Sequence, residues 1–142
     1  MLATRRTITV VFTALCALGA VRIAAVAGET TGGPRIIDIT ADSDNRFKVP
    51  KQKEPVITMK VNEVAVLRIT SHKGGEWDEK DSTIHTFTIT ALKDRGWNFR
   101  LKEGTQKFPV VAPAEPGEYA VECTVKCGKG HDDMKMKLVV TP

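Results

Sequence analysis

Apolar and polar residues alternate along most of this chain in runs of four to eight, and the period is two, that of β-strands. Ile36-Ile37-Asp38-Ile39-Thr40 predicts a first strand, Asp42-Ser43-Asp44-Asn45 a turn, and Arg46–Val49 a short edge piece stopped by Pro50. Within Pro55–Ser71, Ile57, Met59 and Val61 alternate against Thr58 and Lys60, and Val64, Val66 and Ile69 form a second apolar run. Asn62-Glu63 between the runs predicts a turn, so this stretch is two strands. Ser71–Ser82 is polar and reads as a solvated loop. From Thr83 to Thr90, Ile84, Thr86, Thr88 and Thr90 share one face, while His85, Phe87, Ile89 and Ala91 share the other. Leu92–Phe108 predicts strands broken by turns around Gly96 and Gly104, with Trp97 in the core. The last run sets Met134, Met136, Leu138 and Val140 against Lys135, Lys137 and Val139. No amphipathic helix is legible after Ala27, and frequent Gly and Pro punctuate the strands. The expected fold class is an all-β sandwich.

The first 27 residues break this pattern. Arg5 and Arg6 precede an uncharged, mostly apolar run from Thr7 to Val21, and Arg22 is followed by Ala25-Val26-Ala27. That order is expected of a secretory signal peptide cleaved after Ala27. The run is too short for a bilayer span, which needs about 20 residues, so membrane association is expected only if the segment stays uncleaved. Thr4-Arg5-Arg6 also hints at twin-arginine export. Residues 28–34 are small and polar and read as a flexible arm, which leaves 35–142 as a single domain. Export changes the charge reading. The 142-residue chain carries 21 basic and 17 acidic residues for a net charge of +4, but Arg5, Arg6 and Arg22 fall in the signal. What remains is 18 basic against 17 acidic residues, with no basic block and no aromatic interleaving. Nucleic acid is set aside as a partner.

Chemistry concentrates near the C-terminus. Cys123, Cys127, His131 and Met134 stand in a C-x3-C-x3-H-x2-M spacing, which gathers two thiols, an imidazole and a thioether in twelve residues. Sulfur donors select Cu(I), imidazole suits both copper states, and no carboxylate occupies the four positions. The ligand set points to copper. Two other readings use the same residues: a Cys2His2 zinc site, against which the thioether argues, and a Cys123–Cys127 disulfide, which extended chain would hold out of bridging range unless the segment turns. Both cysteines beyond the signal belong to this motif, so no disulfide framework exists; Cys16 leaves with the signal. His72 reads as a surface histidine, Met136 as core, and Trp77 as either an interface anchor or a ring folded on its own loop.

The motif resembles the CuA site of cupredoxin domains, as in subunit II of haem-copper oxidases and in nitrous oxide reductase. The resemblance covers roughly Val49–Pro142 and implies a cupredoxin-like Greek-key β-sandwich. It implies Cys123 and Cys127 as bridges between two coppers, His131 and His85 as imidazole ligands, Met134 as the weak thioether and the Val125 backbone carbonyl as the remaining donor. Two positions depart from the family: oxidase members usually carry Glu where Val125 stands and Asp where Ser82 stands.

The function this implies is single-electron transfer through a binuclear copper centre, in a periplasmic or exported protein that breaks no substrate bond. The expected partner is a redox protein such as a cytochrome or another cupredoxin. A copper chaperone or storage protein that delivers Cu(I) to an oxidase or reductase is the alternative. A thiol-disulfide oxidoreductase would need a strand-helix alternation that the pattern lacks.

Overall fold

The computed structural model describes Gly32–Pro142. The expected signal, 1–27, and residues 28–31 of the expected arm lie outside the described residues; Gly32, Gly33 and Pro34 are exposed and lead into the first strand. Nine strands follow: β1 (Arg35–Ala41), β2 (Phe47–Lys48), β3 (Val56–Lys60), β4 (Val64–Ser71), β5 (His85–Thr88), β6 (Asn98–Leu101), β7 (Gly104–Val111), β8 (Gly117–Glu122) and β9 (Lys135–Thr141). They form a four-stranded sheet in the order β2-β1-β4-β7 and a five-stranded sheet in the order β3-β9-β8-β5-β6. β1 runs parallel to β4, and β3 parallel to β9.

Alternation decides which residues meet between the sheets. Ile37, Ile39 and Ala41 of β1, with Ala65, Leu67 and Ile69 of β4, face Ile57, Met59, Phe87, Val121, Leu138 and Val140 of the second sheet, and all are buried. Trp97 and Met136 join the same core. Phe87 sits edge-on to Phe47 with ring centroids 5.7 Å apart, and Phe99 stacks tilted on Phe108 at 4.8 Å, so aromatic contacts tie the sheets together. The predicted turn at Asn62-Glu63 is present but is no hairpin: it carries the chain from the second sheet into the first. Asn62 takes the left-handed conformation (φ 56°), which asparagine tolerates. The Glu63 carboxylate accepts the Lys60 N–H at 2.8 Å and the Arg35 guanidinium at 2.7 Å.

Two expectations are corrected. The strand foreseen over Thr83–Thr90 is shorter and is buried on both faces. Thr86 and Thr88 are covered because their hydroxyls bond Thr124 and Asn98 of neighbouring segments. The strands foreseen from Leu92 onward begin only at Asn98, since Thr90–Arg95 is a short 3-10 turn. Leu92 is its single buried residue, and Gly96 ends it in the left-handed conformation that a Cβ would disfavour. The turn lets Ile89 and Trp97 meet through a backbone hydrogen bond, which starts β6 antiparallel to β5.

One end of the sandwich is braced. Arg100 of β6 donates to Asp78 at 2.7 Å and to Asp81 at 2.6 Å, pinning the polar loop that precedes β5. That guanidinium, with the Thr83 hydroxyl, holds the Asp81 carboxyl far below the usual carboxylate range. A depressed value means the contribution is complete at neutral pH and is lost only in strong acid. Leu67, fully buried at the middle of β4, tests the core as a whole. Leu67→Ala is expected to lower unfolding stability by about 2–5 kcal/mol in urea titration.

Candidate metal centre

The end of the sandwich where β5 starts and β8 stops is where the motif folds. Thr88 pairs with Glu122 across β5 and β8, and the Thr86 hydroxyl accepts the Thr124 N–H at 2.7 Å. Continued antiparallel, this register brings His85 and Thr86 of β5 alongside the chain that leaves β8 through Cys123, Thr124 and Val125. The Thr86 N–H lies 3.4 Å from the Cys123 sulfur. Beyond Cys123 the segment turns, contrary to an extended path, and the two sulfurs come within 3.8 Å of each other as free thiols. The loop then runs through Gly128 and Gly130, both left-handed, into a 3-10 turn at His131–Asp133. Met134 closes it, because Cys123 N–H bonds the Met134 carbonyl at 3.2 Å immediately before β9 begins.

All six residues singled out from the sequence gather here. The donor atoms of His85, Cys123 and Cys127 lie within 4.8 Å of one another, and all three residues are buried. The Met134 sulfur, also fully buried, is 3.8 Å from the Cys127 sulfur, and the Val125 carbonyl oxygen is 3.3 Å from the Cys123 sulfur. His131 is half-buried and approaches from the other side, its Nδ1 3.5 Å from the Cys127 sulfur. Met136 points away into the core, and the His72 side chain is exposed.

His85 shows most clearly what the arrangement can do. Its Nε2 lies 2.9 Å from the His72 carbonyl oxygen, so that nitrogen carries the proton and donates it. Nδ1 is then a bare lone pair, buried and without a hydrogen-bond partner among the described residues. A buried imidazole with one nitrogen fixed by a backbone carbonyl and the other left open is the usual state of a metal-binding histidine. His72 thus serves the site through its main chain while its side chain stays exposed, a role that no side-chain pattern reveals. Thr86, on the strand face opposite His85 in the alternation, supports the site through its N–H and hydroxyl; its place one step after His85 is the signal the sequence offers.

The two thiols cannot both ionise so close together. The Cys127 thiol donates toward Cys123, and that bond, with the Thr86 N–H on the same sulfur, holds Cys123 well below the ordinary thiol range. The same interaction, added to burial, pushes Cys127 far up. The pair therefore keeps one proton between two sulfurs. A cavity of about 200 Å³, lined by Glu122, Cys123, His131, Asp132, Met134 and Lys135, opens on the His131 side.

Sheet order and site position together define a cupredoxin fold, and solved structures bear out that class. A chain of a haem-copper terminal oxidase dimer is similar at 22% identity and a TM-score of 0.53, over 76% of this chain and 65% of that one. This chain thus spans less than two thirds of that oxidase chain. The periplasmic domain of subunit II of cytochrome oxidase (CoxB) of Bradyrhizobium japonicum is similar at 19% identity, with a TM-score of 0.50 over 78% of this chain and 86% of the domain. Dithionite-reduced auracyanin from Roseiflexus castenholzii is similar at 15% identity, with the same TM-score, over 78% of this chain and 100% of auracyanin. No protein-family model and no curated protein sequence matches the chain.

Sharing of one proton has a measurable consequence. In the reduced, metal-free protein, the ultraviolet absorbance of thiolate should show one equivalent persisting well below pH 8.5, the ordinary thiol value of about that size. The second equivalent should appear only in strong alkali. Two equivalents titrating together near the ordinary value would mean that the sulfurs do not interact.

Proposed function

We propose that this protein is an exported single-electron carrier whose centre is a pair of coppers held by His85, Cys123, Cys127, His131, Met134 and the Val125 carbonyl. The observation that carries the reading is the open, buried Nδ1 of His85 beside two free thiols. The spread of donors supports two ions over one: His131 stands against Cys127, outside the close group formed by His85, Cys123 and Cys127. A structural zinc site would draw four donors around a single point. Bound copper would supply a one-electron couple held by these donors.

The chain's own residues do the rest. The His72 carbonyl fixes the ring of His85, and the Thr86 N–H supports the Cys123 sulfur. Both come from strand-anchored backbone, so the donors keep their places when the charge of the centre changes. Small rearrangement is what fast electron transfer needs from a protein, together with orientation and electrostatics. The partner would be a redox protein such as a cytochrome or another cupredoxin, met in the periplasm. Among the described residues no helix is long and apolar enough to cross a membrane.

Copper-loaded protein should bind two coppers per chain and give an electron paramagnetic resonance spectrum with hyperfine splitting from two equivalent nuclei. Cys123→Ala or Cys127→Ala should abolish that spectrum, since each would remove one of the two sulfur donors that stand together at the site. Met134→Leu should keep copper and shift the potential, because a thioether is a weak donor. Met136→Leu and His72→Ala should be silent, the first side chain lying in the core and the second acting only through its backbone. One copper per chain, or zinc as the sole metal taken up with copper available, would sink the proposal.

The cavity beside Cys123, His131 and Met134 favours a second reading, a copper chaperone or store that passes Cu(I) outward. Cycling the loaded protein between reductant and oxidant beside a competing Cu(I) chelator separates the two. A carrier is expected to retain its copper and recover its spectrum. Transfer of copper to the chelator on reduction would move the assignment to the chaperone.

A further inference from the structure

We infer that Asn45 is a positioning residue for the metal loop: from the turn between β1 and β2, its buried amide grips the loop between Cys127 and His131 and sets where those two donors stand. The inference rests on reading that loop as the metal-holding one. Asn45 is 1% exposed although it sits in a turn of Asp and Ser, and its backbone is left-handed (φ 57°). Its Nδ2 donates to the Lys129 carbonyl at 2.7 Å, midway between the two donors. Because a carbonyl can only accept, this bond fixes which way the amide points. Oδ1 is then buried and lacks a partner among the described residues. A polar group left so costs stability and would be replaced by an apolar side chain if filling space were its only role.

Three glycines close around this side chain. A Cβ at Gly74 would fall on the Asn45 amide. A Cβ at Gly128 would come within 3.3 Å of Nδ2 and 3.1 Å of the Gly74 carbonyl, and one at Gly130 within 3.3 Å of the Asp44 carbonyl. Arg46 continues the grip, donating to the Gly130 carbonyl at 3.1 Å and pairing with Asp133 at 3.2 Å. What the grip controls is the 3-10 turn: His131 N–H bonds the Gly128 carbonyl and Asp133 N–H the Gly130 carbonyl. The peptides that Asn45 and Arg46 hold are therefore interleaved with those that aim the His131 ring at Cys127. Only asparagine satisfies the position. Serine is too short, leucine has no donor, and aspartate would set an anion against a carbonyl in a buried site.

The test uses the reduced, metal-free full chain and the alkylation rate of each cysteine by iodoacetamide, read by peptide mass spectrometry. Cys127 is fully buried, so its rate reports loop opening. Asn45→Gly keeps the left-handed backbone and removes the amide. It should speed Cys127 alkylation about tenfold, the factor that corresponds to losing one such hydrogen bond. Asn45→Asp, equal in size but unable to donate when ionised, should do the same. Gly74→Ala should speed it alone yet add little on top of Asn45→Gly, because both act through one contact. With copper loaded, the variants should alter the hyperfine pattern while Leu67→Ala leaves it unchanged. Unchanged Cys127 rates in Asn45→Gly and Asn45→Asp, with only the thermal midpoint lowered, would overturn the inference. The alkylation readout contains no metal, so a protein that binds no copper yet shows the acceleration refutes the proposed function and leaves the positioning role intact.

Discussion

Two sulfur atoms 3.8 Å apart, both shut away from water, cannot both be charged unless a cation joins them. That constraint governs the whole end of the sandwich. Without a cation the pair retains a proton, and the chain stabilises the one thiolate with weak donors: the neighbouring thiol and the Thr86 N–H. No lysine or arginine side chain bonds either sulfur among the described residues. An intramolecular cation would satisfy the charge permanently and compete with any metal. The open lone pair of His85 points the same way, since a donor left without a proton is useful only to something electropositive. The site is arranged to remain short of positive charge.

The β ladder explains how such a site can exist in a small domain. Buried polar groups are tolerated where their remaining valences are met by backbone, and β5 lies between β6 and β8 with both faces covered. His85 spends one nitrogen on the His72 carbonyl, just past the end of β4, and His72 N–H in turn bonds the Ala41 carbonyl at the end of β1. A chain of main-chain contacts thus runs from the first sheet through the imidazole into the second. The sheets are joined at this end by polar bonds and elsewhere by aromatic and aliphatic packing. Arg100 adds a brace outside it, holding the loop between β4 and β5 against β6.

Much of this was legible in the sequence, for a physical reason in each case. Alternation revealed the strands because most have one buried face; β5, covered on both, is shorter than its alternation over Thr83–Thr90 foretold. The Thr90–Arg95 turn escaped because its single buried residue, Leu92, gives no periodicity. The donor loop could be read because sulfur and imidazole are rare side chains whose chemistry survives any change of backbone. Main-chain partners such as the His72 carbonyl could not be read, since every residue has a carbonyl and only the fold chooses which one is used. Asn45 was legible as a turn former and not as a buried contact, because its partners lie 84 residues away at Lys129 and across the next loop at Gly74.

The two halves of the site are built to different standards, and this bears on how it would take up and hold metal. His85 opens β5 and Cys123 is the first residue past β8, both buried beside the Thr88–Glu122 pair, so their positions follow closely from the β ladder. His131 rides a three-residue 3-10 turn, is half-buried, and borders the cavity with Asp132 and Lys135. Local opening free energies are lowest where backbone hydrogen bonds are few and exposed, and the His131 half has fewer strand hydrogen bonds than the other. A metal ion would arrive and leave on that side, passing the cavity before reaching the sulfurs. The buried strand-held half would define the geometry that the bound state reaches, and the loop-held half the rate at which it is reached. The Asn45–Arg46 turn stands behind the loop-held half alone, with no contact to His85 among its hydrogen bonds. A fold that needed only stability would have no use for that placement; one that must close the same loop in the same way each time would.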